Sequence, residues 1–400
     1  DILIGVNQVI MVCFSMAVIS AFIGAKGLGF NLLLALNQLN IGLALEAGLC
    51  ISLIAILLDK MSLAWANKQT DYFGNLTFFQ RNKNVIFFAA SFVIGIIFAY
   101  VGTFIFKGSF NYLFEIPHNK GISTADFWNK GVDWIFDTFF VYIKAFNTWL
   151  IQDVLQPMRA LYLRMPAVAT LVLAVGAGYL IGGVRSALVV AALTLFIALS
   201  PWWDRALVTL YMATFGVVIS CLIGFTVGTL CFQNKKSAAF MLGVCDIFQT
   251  FPSFVYLIPV MMLFGITDTS VLIAVIVYAT IPATRYTIEG LRSVPVGLHE
   301  AATMSGVNKF QRLTKIEFPL AFPHMMLGLN QTIVFALFMV IIGAFIGTED
   351  LGQYILKALS DKNGAGIGLT LGICVAFIGL IFDNLIRTWV GKRKKHLGIA

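Results

Sequence analysis

The chain has 400 residues, of which 59% are hydrophobic and only 12% are charged, and its mean hydropathy is +0.90. A soluble domain of this length needs far more polar surface, so the composition predicts an all-α, polytopic helical membrane protein. The net charge of +8 would also suit a nucleic-acid partner, but the basic residues cluster in short loops and in the tail at 392–400. This clustering is what the positive-inside rule predicts for cytoplasmic ends, so we expect membrane lipids and no nucleic acid as partners.

The chain begins with two apolar runs, 4–24 and 41–58, each long enough to cross about 30 Å of hydrocarbon. A basic stretch at 67–84 predicts a cytoplasmic linker, and a further span is predicted at 85–106. Residues 127–155 then mix aromatic and charged side chains, which predicts an amphipathic helix in the membrane interface. Two interpretations of this helix stay open, a lateral scaffold around a transport core and a simple aromatic anchor.

The rest of the chain predicts a compact series of spans and short loops. The spans are expected at 166–182, 185–200, 206–232, 237–264, 269–287, 320–346 and 365–387. With Lys235, Lys236 and the loop at 288–319 placed on the cytoplasmic side, the basic tail is cytoplasmic as well. The same topology places Arg159 and Arg164 on the outer side.

The span at 237–264 contains the candidate translocation pathway. An ionisable Asp246 is costly in hydrocarbon and should face the bundle interior, a partner or water, with Gln249 close to the same helical face. Pro252 and Pro259 are both expected to break the helix, which is tolerated chiefly where the helix lines a cavity or packs on protein. The candidate pathway residues are Asp246, Gln249, Thr250, Pro252, Tyr256 and Pro259. The alternative is that Asp246 and Gln249 only form hydrogen bonds with neighbouring helices.

A polar, basic segment at 300–319 separates strongly apolar regions. Good helix formers at 300–304 predict a short helix that ends at Gly306, where a left-handed backbone costs nothing. A second amphipathic turn is predicted to run into Pro319. Two alanines leave a smooth helix face for a partner's groove, while nearby lysines and Arg312 hold the segment on the cytoplasmic side. On composition alone, an ordinary cytoplasmic loop helix is the alternative.

This segment follows the pattern E-A-A, three residues, G, nine residues, I-x-L-P, with Phe318 at the leucine position. The pattern resembles the coupling-loop signature of the permease subunits of ABC importers. The matching positions are Glu300, Ala301, Ala302, Gly306, Ile316 and Pro319. A second motif, between Asp246 and Gly265, resembles permeases that import glycine betaine, proline betaine and choline.

The resemblance implies the transmembrane domain of a type I ABC importer, in the inner (plasma) membrane of a bacterium. It implies an ATP-binding subunit docked on the coupling loop, a substrate-binding protein outside, and a second permease half. Its substrates would be betaine-, choline- or proline-like osmolytes, with roles in osmoprotection and amino-acid transport. ATP would belong to the partner, so no cofactor and no catalytic residue is expected in this chain.

Two rival functions stay open. An ion-coupled secondary carrier for small zwitterions would need an intramembrane ion site, for which Asp246 is the candidate. A non-transporting membrane scaffold would leave the coupling signature unexplained. No G-x4-G-K-[ST] loop is present, and the six cysteines and four histidines show no metal-ligand spacing. We therefore expect the chain to bind neither ATP nor a structural metal, and to form no disulfide framework.

An internal repeat with an offset of 323 links the two ends of the chain. The segment A-F-I-G at 21–24 recurs at 344–347. At the same offset, the further matches are Asn7-Gln8 with Asn330-Gln331, Leu28-Gly29 with Leu351-Gly352, and Ala35-Leu36 with Ala358-Leu359. After a shift of one residue, four more positions match: Gly48, Cys50, Asp59 and Trp65 with Gly372, Cys374, Asp383 and Trp389.

The repeat predicts that the chain carries parts of two permease copies. The expected units are the last two spans of a first copy at 1–66, a linker at 67–84, a span with the interfacial scaffold at 85–165, the permease core at 166–391 and the tail at 392–400. A matching E-A-A loop is then expected about 24 residues before Asp1, by the offset of the repeat.

Overall fold

The computed structural model describes residues 13, 16–21, 24–38, 40–66, 83–105, 123–344 and 347–396, and within them it is helical without strands. We number the helices α1 (Leu28–Asn37), α2 (Ile41–Ala66), α3 (Lys83–Ile105), α4 (Ala125–Trp149), α5 (Gln156–Leu163), α6 (Ala167–Gly182), α7 (Val184–Leu199), α8 (Trp203–Phe232), α9 (Lys235–Thr250), α10 (Phe254–Phe264), α11 (Asp268–Arg292), α12 (Val296–Met304), α13 (Lys309–Arg312), α14 (Phe318–Gly343), α15 (Leu351–Ser360) and α16 (Ala365–His396). Short π-helical turns at Leu150–Leu155 and Leu313–Glu317 join α4 to α5 and α13 to α14.

The described residues contain five helices long and apolar enough to cross a membrane, or up to seven if each bent helix pair counts as one span. This confirms a polytopic all-α fold. Helices also occupy the predicted spans from residue 41 onward, whereas the predicted span at 4–24 lies mostly outside the described residues.

Helix α11 forms the centre of the core and packs between α8 and α14. The approach of α8 is close because glycines face α11: a Cβ at Gly224 would lie 2.5 Å from the Ala283 Cβ, and one at Gly228 would lie 2.7 Å from the Thr287 Cβ. Lipid chains are as apolar as leucine, so helices in a membrane associate through such close packing of small residues.

The predicted broken helix is present, with one correction. Helices α9 and α10 meet at 90° around the buried Pro252. The prediction that Pro259 also breaks the helix was wrong, since Pro259 lies exposed inside a continuous α10. A proline removes one backbone hydrogen bond, and the buried side chains of α10, including Leu257 and Ile258, keep the remaining turns in place.

The amphipathic segment forms α4, the π-turn and α5, and α4 contacts two other helices. The Asn129 Oδ1 accepts a hydrogen bond from the Gly42 N–H of α2 at 2.7 Å. The Asn147 amide donates to the Phe264 carbonyl at the end of α10, at 3.1 Å. Aromatic side chains on other positions of α4, such as Tyr142, are exposed. These contacts favour the scaffold interpretation over a lipid anchor alone.

The two ends of the repeat have matching local structure. Helices α1 and α15 have 10 residues each and begin at the offset of 323, and α16 begins 324 residues after α2. Two glycines related by this offset, in the loops before α1 and α15, are both left-handed, with φ 92° at Gly24 and 89° at Gly347. The division into two permease copies stays a prediction, which these bounds support.

The packing at Gly224 gives a stability prediction. Gly224→Leu should destabilise the protein by roughly 1–3 kcal/mol or more, because the new side chain must displace Ala283. Gly176→Leu in α6 is the matched control, since a Cβ there meets nothing within 4 Å. Thermal unfolding of both variants in detergent measures the difference, and equal midpoints would contradict the close packing of α8 on α11.

Candidate functional site

The short helix α12 ends as its sequence predicts. Gly306 has φ 72°, and its N–H donates to the Thr303 carbonyl while the Val307 N–H donates to the Ala302 carbonyl. This pair of hydrogen bonds is a Schellman motif, which closes a helix with a left-handed residue. The predicted helix stop at Gly306 is therefore confirmed.

The helix presents a mixed apolar and acidic surface. Glu300 and Ala301 are exposed, whereas Ala302 is buried. Large apolar side chains of the same loop are also exposed: Val296 at 69% and Met304 at 90% in α12, and Phe310 at 74% in α13. Exposed apolar side chains next to one another are a feature of protein–protein contact surfaces. We call Val296, Glu300, Ala301, Met304 and Phe310 the coupling surface.

The second arm of the loop is a helical segment that runs into Pro319. Asn308 and Gln311 form a capping box, which begins α13, and the helical backbone then continues through the π-turn into α14. Pro319 therefore does not end this arm but lies in the first turn of α14, where its missing N–H costs little. Ile316 and Pro319 are half-buried. The loop is thus connected to the core helix α14 without an interruption of helical structure.

An ion pair at the base of this loop was missed by the sequence analysis. The Arg312 Nε lies 2.9 Å from the Glu317 Oε1, and the Glu317 side chain is only 3% exposed. A buried carboxylate needs such a partner, because an unpaired charge would pay the full cost of leaving water. The available signal was an acidic residue between the apolar Ile316 and Phe318, with Arg312 one helical turn earlier.

The structure brings two of the predicted pathway residues together on one guanidinium group. The Arg285 Nη1 of α11 lies 2.7 Å from the Asp246 Oδ1 and 2.8 Å from the Gln249 Oε1. Its Nε also pairs with Glu289 at 2.9 Å. Asp246 is thus charge-paired, yet its side chain is 55% exposed. At membrane depth, that exposed part requires water or another protein segment.

Tyr256 forms a hydrogen bond at the bend that Pro252 creates. Proline has no N–H, so it cannot donate to the Phe248 carbonyl one turn earlier. The Tyr256 hydroxyl and the Phe251 N–H donate to that carbonyl instead. The buried Tyr256 ring lies 5.3 Å from the ring of Tyr278, which stacks on Phe335 at 4.7 Å. The bend at Pro252 therefore ends in an aromatic column between α10, α11 and α14.

A cavity of about 430 Å³ lies where α1 and α2 meet α10. Its lining is apolar apart from Asn40 and consists of Ala35, Leu36, Asn40, Ile41, Ala44, Ile258, Met261, Met262, Gly265 and Ile266. Thr250 ends α9 and Pro259 is exposed, and neither belongs to this lining.

A second charge cluster, also missed, lies on the side that the topology assigns as outer. Glu349 accepts hydrogen bonds from Arg159 at 2.7 Å and Arg205 at 3.2 Å, and these hold the pKa of Glu349 below its usual range. The neighbouring Asp350 is 2% exposed and caps α15 through the Gln353 N–H. Burial raises the pKa of Asp350 to about 7.

Within the described residues, no group of three or more potential metal ligands occurs.

With this geometry established, comparison with known proteins assigns the class. The family model of the binding-protein-dependent transport system inner membrane component matches residues 216–396, which include the broken helix and the coupling surface. The glycine betaine/proline betaine transport system permease protein ProW of Escherichia coli is 30% identical over 283 residues, 70% of this chain and 79% of ProW. The chain therefore belongs to this family of multi-pass inner-membrane permeases, with the fold of a type I ABC importer transmembrane domain.

Two further relatives match over the whole chain. The trimethylamine N-oxide transport system permease protein TmoV of Pelagibacter ubique is 88% identical over 400 residues, and the TmoV of Ruegeria pomeroyi is 40% identical over 414 residues. This chain spans 56% of the first relative's length and 60% of the second's.

The burial of Asp350 gives a pH prediction. A carboxyl whose pKa is raised by folding stabilises the fold fully below its unfolded pKa of 3.8, and this contribution is lost as the pH rises through about 7. Asp350→Asn keeps an equally good helix cap and cannot ionise. The melting temperature of the variant should therefore exceed that of the parent by an amount that grows between pH 4 and pH 8.

Melting curves in detergent at several pH values measure this difference. The exposed Asp361, which bonds the Asn363 N–H in the next loop, provides the control Asp361→Asn. A difference for Asp350→Asn that does not change with pH would contradict the buried, ionisable state.

Proposed function

We propose that this chain forms the membrane-spanning pathway of an ATP-driven importer of small N-methylated osmolytes. A separate ATPase binds the coupling surface on the cytoplasmic side, and a substrate-binding protein delivers the osmolyte outside. The chain provides no cofactor of its own, since ATP is bound by the ATPase. The observation that carries this proposal is the coupling surface itself: the E-A-A signature lies on the exposed side of α12, and after the turn at Gly306 the second arm continues as unbroken helix into α14.

Coupling requires that movement of the ATPase reaches the core. The left-handed Gly306 fixes the angle between α12 and α13, and the Arg312–Glu317 pair holds α13 on the base of α14. The loop can then move with the ATPase as one rigid unit and bias the permease between inward-open and outward-open states.

The substrate class is supported by the relatives. Trimethylamine N-oxide and glycine betaine both carry methyl groups on a cationic nitrogen, and aromatic ring faces attract such cations. We propose trimethylamine N-oxide first and glycine betaine second, because the 88% identical relative is named for the former. The choline, proline and amino-acid substrates that the sequence suggested have no support among these relatives.

An ion-coupled carrier is not favoured. Its only candidate ion site was Asp246, and that carboxylate is already neutralised by Arg285 at 2.7 Å. A non-transporting scaffold fails for another reason, since the family comprises transport-system components.

The coupling proposal predicts the effect of two changes. Glu300→Arg reverses a charge on the coupling surface, and Gly306→Val forces a β-branched residue into a left-handed backbone. Each should reduce substrate-stimulated ATP hydrolysis by the reconstituted transporter at least tenfold while the permease still folds.

The control is Asp126→Arg, the same charge reversal at an exposed first-turn position of α4. Size-exclusion chromatography of all three variants tests folding independently of transport. Full stimulation and transport in both Glu300→Arg and Gly306→Val would show that this surface does not couple to an ATPase.

A further prediction concerns selectivity. The substrate-binding protein is expected to select the osmolyte, so Tyr256→Phe should lower the uptake of trimethylamine N-oxide and glycine betaine by the same factor. This change removes one of the two donors to the Phe248 carbonyl but keeps the ring. Uptake of both labelled compounds by the complete transporter measures the two factors, and an altered ranking would assign selectivity to the permease.

A further inference from the structure

A second cavity, of about 380 Å³, lies between α11, α14 and α16. Helix α11 lines it with Tyr286, α14 lines it with Asn330 and Gln331, and α16 contributes Arg387 and Lys394. Arg387 lies at the end of the span predicted at 365–387, and Lys394 lies beyond it, on the side that the topology assigns as cytoplasmic. The cavity therefore extends from the membrane domain to its cytoplasmic boundary.

The two basic residues of this cavity lie on one face of α16. Arg387, Gly391 and Lys394 are spaced four and three residues apart, which places them above one another on a helix, and all three line the cavity. Lys392 and Arg393 are exposed and lie outside this lining. Positive charge at any of these positions would satisfy the positive-inside rule, so that rule does not explain why two of them line the cavity.

The charges around the cavity do not cancel. The Asp383 Oδ1 accepts hydrogen bonds from the Arg387 Nε at 2.7 Å and from the Asn330 amide at 2.9 Å. The Nε group is one of five guanidinium donors, and the Arg387 side chain stays 74% exposed. Because Asp383 offsets the charge of Arg387, the half-buried Lys394 supplies the net positive charge. The cavity thus offers positive charge and hydrogen-bond donors, which suit an anion.

The basic residues are an addition to the internal repeat. The aspartate and the tryptophan near the end of α16 recur in α2 at the offset of 324. At the same offset, however, Arg387 corresponds to Leu63 and Lys394 corresponds to Thr70. The repeated helix therefore does not need these two charges in order to form, and their presence on α16 calls for a separate explanation.

Trp389 marks the depth of the boundary between lipid and water. Its ring packs edge to face on Phe322 of α14, with ring centroids 5.2 Å apart, and the residue is 45% exposed. Tryptophan is enriched at the level of the lipid headgroups. Deeper along α14, the exposed Leu327 gives the cavity an apolar wall, to which Val390 of α16 also contributes. Basic residues near the headgroup level thus adjoin an apolar surface.

We propose that this cavity binds an anionic phospholipid of the cytoplasmic leaflet, with phosphatidylglycerol as its simplest form. The phosphate lies at Lys394 and Arg387, and an acyl chain follows Leu327. Basic pockets between transmembrane helices on this side of a membrane bind anionic headgroups. A zwitterionic phospholipid carries the same phosphate, but its ammonium group would bring a positive charge to the same two side chains. The bound lipid joins α16 to α11 and α14, the two helices that flank the coupling loop.

Binding of phosphatidylglycerol to the intact permease in detergent tests this site. Native mass spectrometry measures how much phosphatidylglycerol or phosphatidylcholine the protein retains, and thermal unfolding measures the stabilisation that each lipid gives. The parent should retain phosphatidylglycerol in preference to phosphatidylcholine. Lys394→Gln should lower the retained phosphatidylglycerol at least fivefold and remove its thermal shift, whereas Lys394→Arg keeps the charge and should preserve both.

Two further variants separate the cavity from the basic tail. Lys392→Gln removes the same charge at an exposed position outside the cavity, so it should leave binding unchanged. Gly391→Leu should fold, because a Cβ there meets nothing within 4 Å. It should nevertheless lower phosphatidylglycerol binding at least fivefold, since the new side chain occupies the cavity without any change of charge.

Three results would overturn the inference. Equal losses in Lys394→Gln and Lys392→Gln would show general attraction to the basic tail. Equal retention of phosphatidylglycerol and phosphatidylcholine by the parent would show an apolar crevice without headgroup selection. Inorganic phosphate that displaces phosphatidylglycerol and binds through Lys394 would show a site for a free anion. These measurements need neither ATP nor osmolyte, so their outcome does not depend on the transport proposal.

Discussion

Hydrocarbon supplies no hydrogen bonds, and this constraint governs the candidate pathway. The bend at Pro252 leaves the Phe248 carbonyl without its usual donor, and the Tyr256 hydroxyl and the Phe251 N–H donate to it instead. Beyond this bend, α10 runs at 90° to α9 and reaches α2. The cavity lies beside α10, and the aromatic column begins at Tyr256.

Charged groups obey the same constraint at three levels of the molecule. Arg285 joins α9 to α11 through Asp246, and Glu349 joins α5 to α8 through two arginines. Arg312 and Glu317 lie within one continuous helical arm, where their ion pair holds the end of the coupling loop at the start of α14.

Some of these features followed from sequence and others did not. The spans, the stop at Gly306 and the break at Pro252 are local: they depend on apolar runs, a left-handed position and a missing N–H, all of which a sequence displays. The partner of Asp246 is not local, since Arg285 lies 39 residues away and only packing of α9 on α11 brings them together. Pro259 was misjudged because the packing of the surrounding turns, which a sequence does not display, decides whether a proline breaks a helix. The outer cluster around Glu349 joins three distant segments, so no window of sequence indicates it.

The central claim is that ATP on a partner, and not an ion gradient, drives movement through this pathway. The most direct measurement is uptake of labelled trimethylamine N-oxide by liposomes that contain the intact permease, its ATPase and its binding protein, with ionophores present to remove all ion gradients. Uptake that requires ATP, stops when the ATPase is omitted and persists with ionophores is the predicted result. Uptake without ATP that disappears when an ion gradient is dissipated would contradict the account and identify a secondary carrier.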